Sequence, residues 1–395
     1  MNSFPEDNGR LPVPEPAALE HSRELLQLIH REIQNHGGAI DFQRFMELAL
    51  YAPGLGYYRA GTRKFGQGGD FVTAPELSAL FSRCLARQCR EILVDSGDAI
   101  LELGAGSGIM AATLLGELQR LRALPEAYLI LELSGELRER QQRLLEARLP
   151  ALLPRVRWLD SLPRDFHGVI LANEVLDALP VSRFRITETG PRPLRVTLLE
   201  QTLGWQEGPA DTGLNATMDT LQHSLAQPLP VGYESEFCPG LSAWIESLGA
   251  ALARGALLLV DYGYPRREYY HTQRHRGTLL CHYRHRVHDD PFLWPGLQDI
   301  TASVDFTAVA EAALAADLTV AGYTSQANFL LGCGLTELLA EADPDNQPSY
   351  LKLAREAKIL TLPGEMGDRF QAMLLTRGLQ GTFRGFGLRD DRHRL

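Results

Sequence analysis

The run Ile100-Leu-Glu-Leu-Gly-Ala-Gly-Ser-Gly108 is the stretch of this chain best equipped for chemistry. An acid, Glu102, stands just before a turn containing Gly104, Ala105, Gly106 and Gly108, and an Ala- and Leu-rich segment follows. An apolar strand that runs into a glycine turn and then a helix brings backbone into contact with a bound nucleoside, because side chains there would collide with it. A carboxylate at position 102 gains nothing from an anionic dinucleotide. It favours a ligand with an ammonium group, such as S-adenosylmethionine. Gly106–Ala111 also fits the loose dinucleotide pattern G-x-G-x-x-A, so this segment alone leaves a methyl donor, a dinucleotide and a structural turn open.

Further acids fall where strands are expected to end. Glu132 closes Leu-Ile-Leu-Glu-Leu-Ser134, where a carboxylate can bind both ribose hydroxyls of adenosine, or merely lead into a helix capped by Ser134. Asp160-Ser161 follows the next strand, either at an adenine edge or as ordinary turn chemistry. Ala172-Asn-Glu-Val-Leu-Asp-Ala-Leu-Pro180 places Asn173, Glu174 and Asp177 at the exit of a fourth strand. Polar side chains there are costly unless they face a cavity or satisfy backbone groups. Two carboxylates can grip a cationic nucleophile such as a guanidinium, orient it and accept its proton; they can also cap a turn. Asp261-Tyr262 ends a fifth strand on the same edge, and Gln298-Asp299 opens a later loop from which Asp299 can reach the pocket. Gly69 and Asp70 lie in a turn able to fold over the ligand, and Thr73-Ala-Pro-Glu76 has the form of a capping box.

The elements that must position these residues follow from periodicity. Strands are expected at 99–103, 128–133, 155–159, 168–172 and 256–261, with helices at 109–122 and 135–149. Val169-Ile-Leu-Ala172 and Ala256-Leu-Leu-Leu-Val260 are continuous apolar runs of the kind buried on both faces of a parallel sheet. The alternation implies a doubly wound α/β sheet with ligands at the carboxyl ends of its strands. Helices are expected at 17–36 and 42–51, and a longer one of roughly 20 residues from the capping box to Val94. Beyond Pro180, period-two patterns at 181–207 predict a meander, then a helix at 241–252. A long basic loop (262–300), a helix (306–316), a strand (318–325), a mostly helical stretch (333–360) and a final strand (370–376) complete the chain.

Composition narrows the class. A chain of 395 residues has room for two domains, or for one with large insertions. A net charge of −10 argues against a nucleic-acid or membrane footprint. Cysteines 84, 89, 238, 281 and 333 are scattered without a C-x-x-C pair, which fits buried thiols in a reducing compartment. With no apolar signal core in Met1–Pro16 and no long apolar span, a soluble cytoplasmic protein is expected. Residues 271–288 hold five of the eleven histidines and Cys281, interleaved with Arg284 and Arg286. So many cations suit a basic contact surface better than zinc, and no metal is assigned.

Several of these segments together resemble the MidA-like methyltransferase family. They are Met46–Tyr58, Gly69–Glu76, Glu102–Gly108, Asn173–Pro180, Asp261–Gly263, Gly277–Leu279, Gln298–Thr301, Val304–Phe306, Gln326–Leu330 and Met366–Phe370, in order across roughly residues 20–378. The resemblance implies a class I, Rossmann-like sheet, mostly parallel with an antiparallel last strand, and S-adenosyl-L-methionine as cofactor. It implies donor contacts from Glu102, Gly104, Gly106, Gly108 and Glu132; Ala105, Ser134, Asp160, Ser161, Gly69, Asp70 and Thr73 are expected beside them from their places in the chain. Asn173, Glu174 and Asp177 become catalytic, and Asp261, Tyr262, Gln298 and Asp299 acceptor-binding. The implied reaction is symmetric dimethylation of an arginine in a protein, as in a respiratory complex I subunit. The chain departs from the family's usual aromatics at Val175-Leu176, and from its frequent histidine at Ser303.

The expected organisation is a disordered tail (1–16), a helical cover (17–95) and a core (96–180 and 255–378, with a helical insertion about 328–360). An inserted β-meander and helical subdomain (181–254) and a flexible tail (379–395) complete it. A homodimer is compatible with the chain. An RNA methyltransferase using the basic loop 266–288, or an assembly chaperone with a vestigial donor pocket, are the alternative readings.

Overall fold

Seven strands build the central sheet: β1 (Ala99–Leu103), β2 (Ala127–Leu131), β3 (Val156–Leu159), β4 (Phe166–Asn173), β5 (Leu252–Tyr264), β6 (Thr319–Ser325) and β7 (Phe370–Arg377). The computed structural model describes residues 11–60, 72–97, 99–343 and 345–395. Strand order across the sheet is β3-β2-β1-β4-β5-β7-β6. The neighbours from β3 to β5 pair in parallel, and β7 runs antiparallel to both β5 and β6. The sheet is therefore doubly wound with an inverted last strand, as expected.

Alternate residues of each strand feed opposite cores, as the two-residue period of a strand demands. Ile100, Tyr128, Ile130, Val169 and Leu258 pack on one face under α3 (Ala79–Ser96), α4 (Ile109–Arg120) and α5 (Gly135–Arg148). Leu101, Leu103, Ile170, Ala172 and Leu257 pack on the other, under α6 (Leu241–Ala251) and α7 (Phe306–Ala315). β1 and β2 start or end within two residues of their expected bounds. The helix expected from Thr73 to Val94 instead breaks: Ala74–Leu77 is a single turn, and Ser78, extended, caps α3 by accepting from the Leu80 amide. Thr73 makes no capping bond, and Glu76 accepts from the Ser107 hydroxyl of the glycine loop.

The helical cover and the meander are one layer rather than two. Ala39–Asp41, between α1 (Pro16–Asn35) and α2 (Phe42–Tyr51), pairs antiparallel with Thr197–Arg195 of the meander. It joins Ser182–Thr187, Gly190–Leu199, Thr202–Glu207 and Glu234–Phe237 in a five-stranded sheet. The helices bury Leu25, Ile29, Phe42 and Phe45 against Val196, Cys281 and Ile300. Within the expected basic loop, Leu280–Tyr283, Arg286–His288 and Asp299–Thr301 form a three-stranded sheet. Much of its charge is used internally: Arg266 pairs with Asp305 and Glu311, and Arg274 lies over the Tyr264 ring.

The last residues, expected to be flexible, are packed. Phe383 and Phe386 are buried, and the Gly385 amide donates to Gln88 at 2.8 Å. Gly385 lies so close to the Phe329 ring that a Cβ would sit 2.4 Å from it. Two aromatic anchors outweigh the Gly and Arg content that made this tail look mobile. Residues 1–10 lie outside the described residues. No helix among those described is long and apolar enough to cross a membrane.

Candidate active site

The carboxyl ends of β1, β2 and β4 open into a cavity of about 450 Å³, the place where doubly wound sheets bind ligands. Its first side is the glycine loop. Gly104 (φ 62°) and Gly106 (φ 53°) are left-handed, and both line the cavity with Ala105. Glu102, 1 % exposed, accepts from the Tyr128 hydroxyl at 2.6 Å. Burial pushes its carboxyl up to about 7, opposed by that bond and assisted by the charge of Glu132. Such a group is kept poised for a cation that restores its ionised form.

Glu132 at the exit of β2 also lines the cavity, and burial raises its carboxyl against the bonds it accepts. Those come from the Ser134 amide and the Gln141 side-chain amide, each at 3.0 Å. The same Gln141 nitrogen donates to the Gly106 carbonyl at 3.0 Å, and its oxygen accepts from the Trp158 indole at 2.8 Å. Gln141 thus ties the glycine loop to Glu132, a role no motif marks. Gly108 does not line the cavity; it starts α4, and a Cβ on it would press to 3.2 Å from Gln141. Ser134 likewise caps α5 and holds Glu132 without lining the cavity.

The second side is the turn after β4. Glu174 takes a left-handed backbone (φ 53°), unusual for a residue with a Cβ, and its amide donates to the Val260 carbonyl of β5 at 2.9 Å. Its carboxyl accepts from Asn173 at 3.1 Å. Burial, with the charge of Asp177, pushes Glu174 up to about 8; burial pushes Asp177 up to about 7, against the Tyr262 hydroxyl and backbone amides. One oxygen each of Asn173 and Asp177 is buried without a hydrogen-bond partner among the described residues. Orphaned buried acceptors beside a cavity mark where a donor-rich ligand belongs.

Tyr51, Tyr58, Trp244 and Asp299 complete this side. Tyr51 donates to the Ala178 carbonyl at 2.9 Å, Tyr58 donates to Asp299 at 2.8 Å, and the two rings stack at 5.6 Å. Sequence reasoning assigned no role to either tyrosine, although both lie in the Met46–Tyr58 segment that resembles the family. Trp244 and Ser247, from α6, carried no signal beyond helical spacing.

Several expected contacts lie elsewhere. Asp160 is exposed and ion-paired with Arg138 at 2.7 Å, and Ser161 is exposed; Leu162 lines the cavity instead. Asp261 is fully buried and accepts from the amides of Val175, Leu176 and Asp177 at 3.1, 2.9 and 3.3 Å, and from Tyr262 at 2.9 Å. It shapes the turn that presents Glu174 and Asp177 and does not line the cavity. Tyr262 packs edge-on against Phe370, outside the cavity lining. Gln298 donates to the Asp290 and Pro291 carbonyls and fastens its own loop. Thr73 and Asp299 do line the cavity. Gly69 and Asp70 lie outside the described residues.

Known proteins agree with this geometry. A family described as S-adenosyl-L-methionine-dependent methyltransferases matches residues 84–324. The mitochondrial protein arginine methyltransferase NDUFAF7 of Homo sapiens is 30% identical over 387 residues, covering 87% of this chain and 82% of its own length. Its Danio rerio counterpart is 28% identical, covering 85% and 82%. A Burkholderia thailandensis protein solved with S-adenosyl-homocysteine bound is 44% identical, with a TM-score of 0.94 over 98% of this chain and 100% of that one. The expected cytoplasmic location does not stand, since these curated relatives are named as mitochondrial. Charge and cysteine usage describe a watery, reducing surrounding, which more than one compartment supplies. The chain belongs to the MidA-like family of enzymes that use S-adenosyl-L-methionine to transfer methyl groups.

Proposed function

We propose that the acceptor is an arginine side chain of a protein, held by Glu174 and Asp177. The observation that carries this reading is the carboxylate pair at the exit of β4, with one buried oxygen unsatisfied, in the cavity that also holds the glycine loop. A guanidinium is always charged and presents five donors in a planar fork, so it can satisfy both acids at once and offset the cost of burying them. Tyr51, Tyr58 and Trp244 give aromatic walls that suit a flat cation. The relatives named as protein arginine methyltransferases support the same acceptor. The family resemblance extends the reading to symmetric dimethylation of a respiratory complex I subunit.

The bound donor supplies a methyl carbon made electrophilic by its sulfonium. Everything else is positioning and electrostatics by this chain. Glu102 and Glu132 hold the ammonium and ribose ends of the donor. Glu174 and Asp177 orient the guanidinium so that one nitrogen faces the methyl carbon in line, within about 3–3.5 Å. They draw positive charge toward the nitrogens they touch and leave electron density on the reacting one. The methylated nitrogen then sheds a proton, and Glu174, ionised while it faces the guanidinium, is placed to accept it.

Glu174→Gln keeps the shape and removes the charge. Turnover is expected to fall at least about 100-fold while affinity for S-adenosylhomocysteine stays within about twofold, measured by labelled methyl transfer and by calorimetry. Turnover close to that of the unaltered chain would remove the carboxylate grip. Loss of label from the acceptor fraction on nuclease treatment, rather than on protease treatment, would replace the protein acceptor with RNA.

A further inference from the structure

The cavity is lined by six acids, Glu76, Glu102, Glu132, Glu174, Asp177 and Asp299, and among the described residues by one side chain of opposite sign, Arg59. Acids suit the donor's ammonium and sulfonium, and a cationic guest. They repel the carboxylate that the methionine part of the same donor carries. A carboxylate brought into so acidic a cavity needs a counter-charge or a set of amide donors to remain ionised at neutral pH.

Arg59 is built to meet an anion. Its amide donates to the Gly56 carbonyl at 2.8 Å, between Tyr58 (amide to the Leu50 carbonyl, 2.9 Å) and Ala60 (amide to the Gly56 carbonyl, 2.8 Å). Tyr58 is fixed in turn by its bond to Asp299, and Ala60 is buried. The root of the side chain is therefore held at the rim. The side chain is exposed and forms no ion pair with a described residue, whereas Arg83, Arg183 and Arg266 all do. An anchored backbone thus carries, at the rim of an acidic cavity, a guanidinium that no described carboxylate engages.

We infer that Arg59 binds the α-carboxylate of the donor's methionine moiety through its planar fork of N–H groups. The match is bidentate and charge-assisted, so it discriminates the intact amino-acid donor from nucleosides that lack the amino-acid part. The inference rests on the donor and not on the acceptor, so it fails or stands separately from the arginine reading.

Calorimetry on the full chain with two probes decides it: S-adenosylhomocysteine, and 5′-methylthioadenosine, which keeps the nucleoside and thioether but has no carboxylate. Arg59→Gln is expected to weaken S-adenosylhomocysteine at least about tenfold and 5′-methylthioadenosine by less than about twofold, with an unchanged melting temperature. Arg59→Lys is expected to recover part of the loss by returning the charge. Unchanged S-adenosylhomocysteine affinity in Arg59→Gln would overturn the assignment. Equal weakening of both probes would also overturn it, because Arg59 would then act through the shape of the rim. A wrong acceptor assignment shows instead in Glu174→Gln turnover and leaves these isotherms as they are.

Discussion

The two ends of the cavity are assembled in opposite ways. At the end proposed for the donor, Glu102, Gly104, Gly106, Glu132 and Gln141 come from one βαβα stretch, and Gln141 bonds both Gly106 and Glu132. At the end proposed for the acceptor, Tyr51, Tyr58, Glu174, Asp177, Trp244 and Asp299 arrive from separate parts of the chain, and Asp261 of β5 holds the turn that presents the two acids. A locally built end is specified by a short sequence. An end gathered from afar depends on the whole fold being right, so it is the end where a family can change its guest while keeping its donor.

The largest effect should come from breaking the local end. Gly106→Val puts a β-branched residue at φ 53° and a side chain into the cavity, and S-adenosylhomocysteine affinity is expected to fall at least about 100-fold with the far-UV spectrum retained. A smaller effect separates the ends by pH. Glu102 titrates near 4.5 when unfolded and at about 7 in the fold. Below about pH 4.5 both states hold the proton and the group is neutral to stability. Between about pH 4.5 and 7 the unfolded chain releases a proton that the fold keeps, so stability falls across this window and levels off above it. Glu102→Gln removes that loss, and urea unfolding of the ligand-free variant is expected to show a gain of about 2 kcal/mol at pH 8 that shrinks toward pH 5. A pH-independent difference would show that Glu102 is not the group titrating. The smallest effect should come from the distant end. Tyr58→Phe leaves Asp299 short of a donor, and acceptor KM is expected to rise about three- to fivefold, roughly 1 kcal/mol, with donor affinity unchanged.

The same contrast governs what could be read without coordinates. The bounds of β1, α4 and α5 follow from local periodicity and glycine chemistry, and so do Glu102, Gly104, Gly106 and Glu132. The left-handed glycines and the acids at strand ends are short-range facts. Asp160 and Asp261 show where that logic stops. Asp160 does follow β3, but its side chain turns to Arg138; Asp261, expected to end its strand, lies inside β5, which runs on to Tyr264, and its side chain turns inward to three amides of the turn after β4. Direction at a strand exit is set by neighbours, not by spacing. The pairing of Ala39–Asp41 with the meander spans about 150 residues and leaves no local trace, so cover and meander read as separate parts. The packed tail failed differently: Gly and Arg content outweighed two phenylalanines whose partners lie on distant helices.

Glu174 has a consequence for anyone who would engineer this enzyme. A side-chain-bearing residue in left-handed backbone costs about 1–2 kcal/mol relative to glycine, and a half-buried acid beside another acid adds to that burden. If Glu174 holds the acceptor as proposed, directed evolution guided by heat tolerance alone should drift toward glycine or asparagine at this position, producing sturdier proteins that have forgotten their reaction. Libraries intended to keep catalysis need position 174 frozen before any screen for robustness begins.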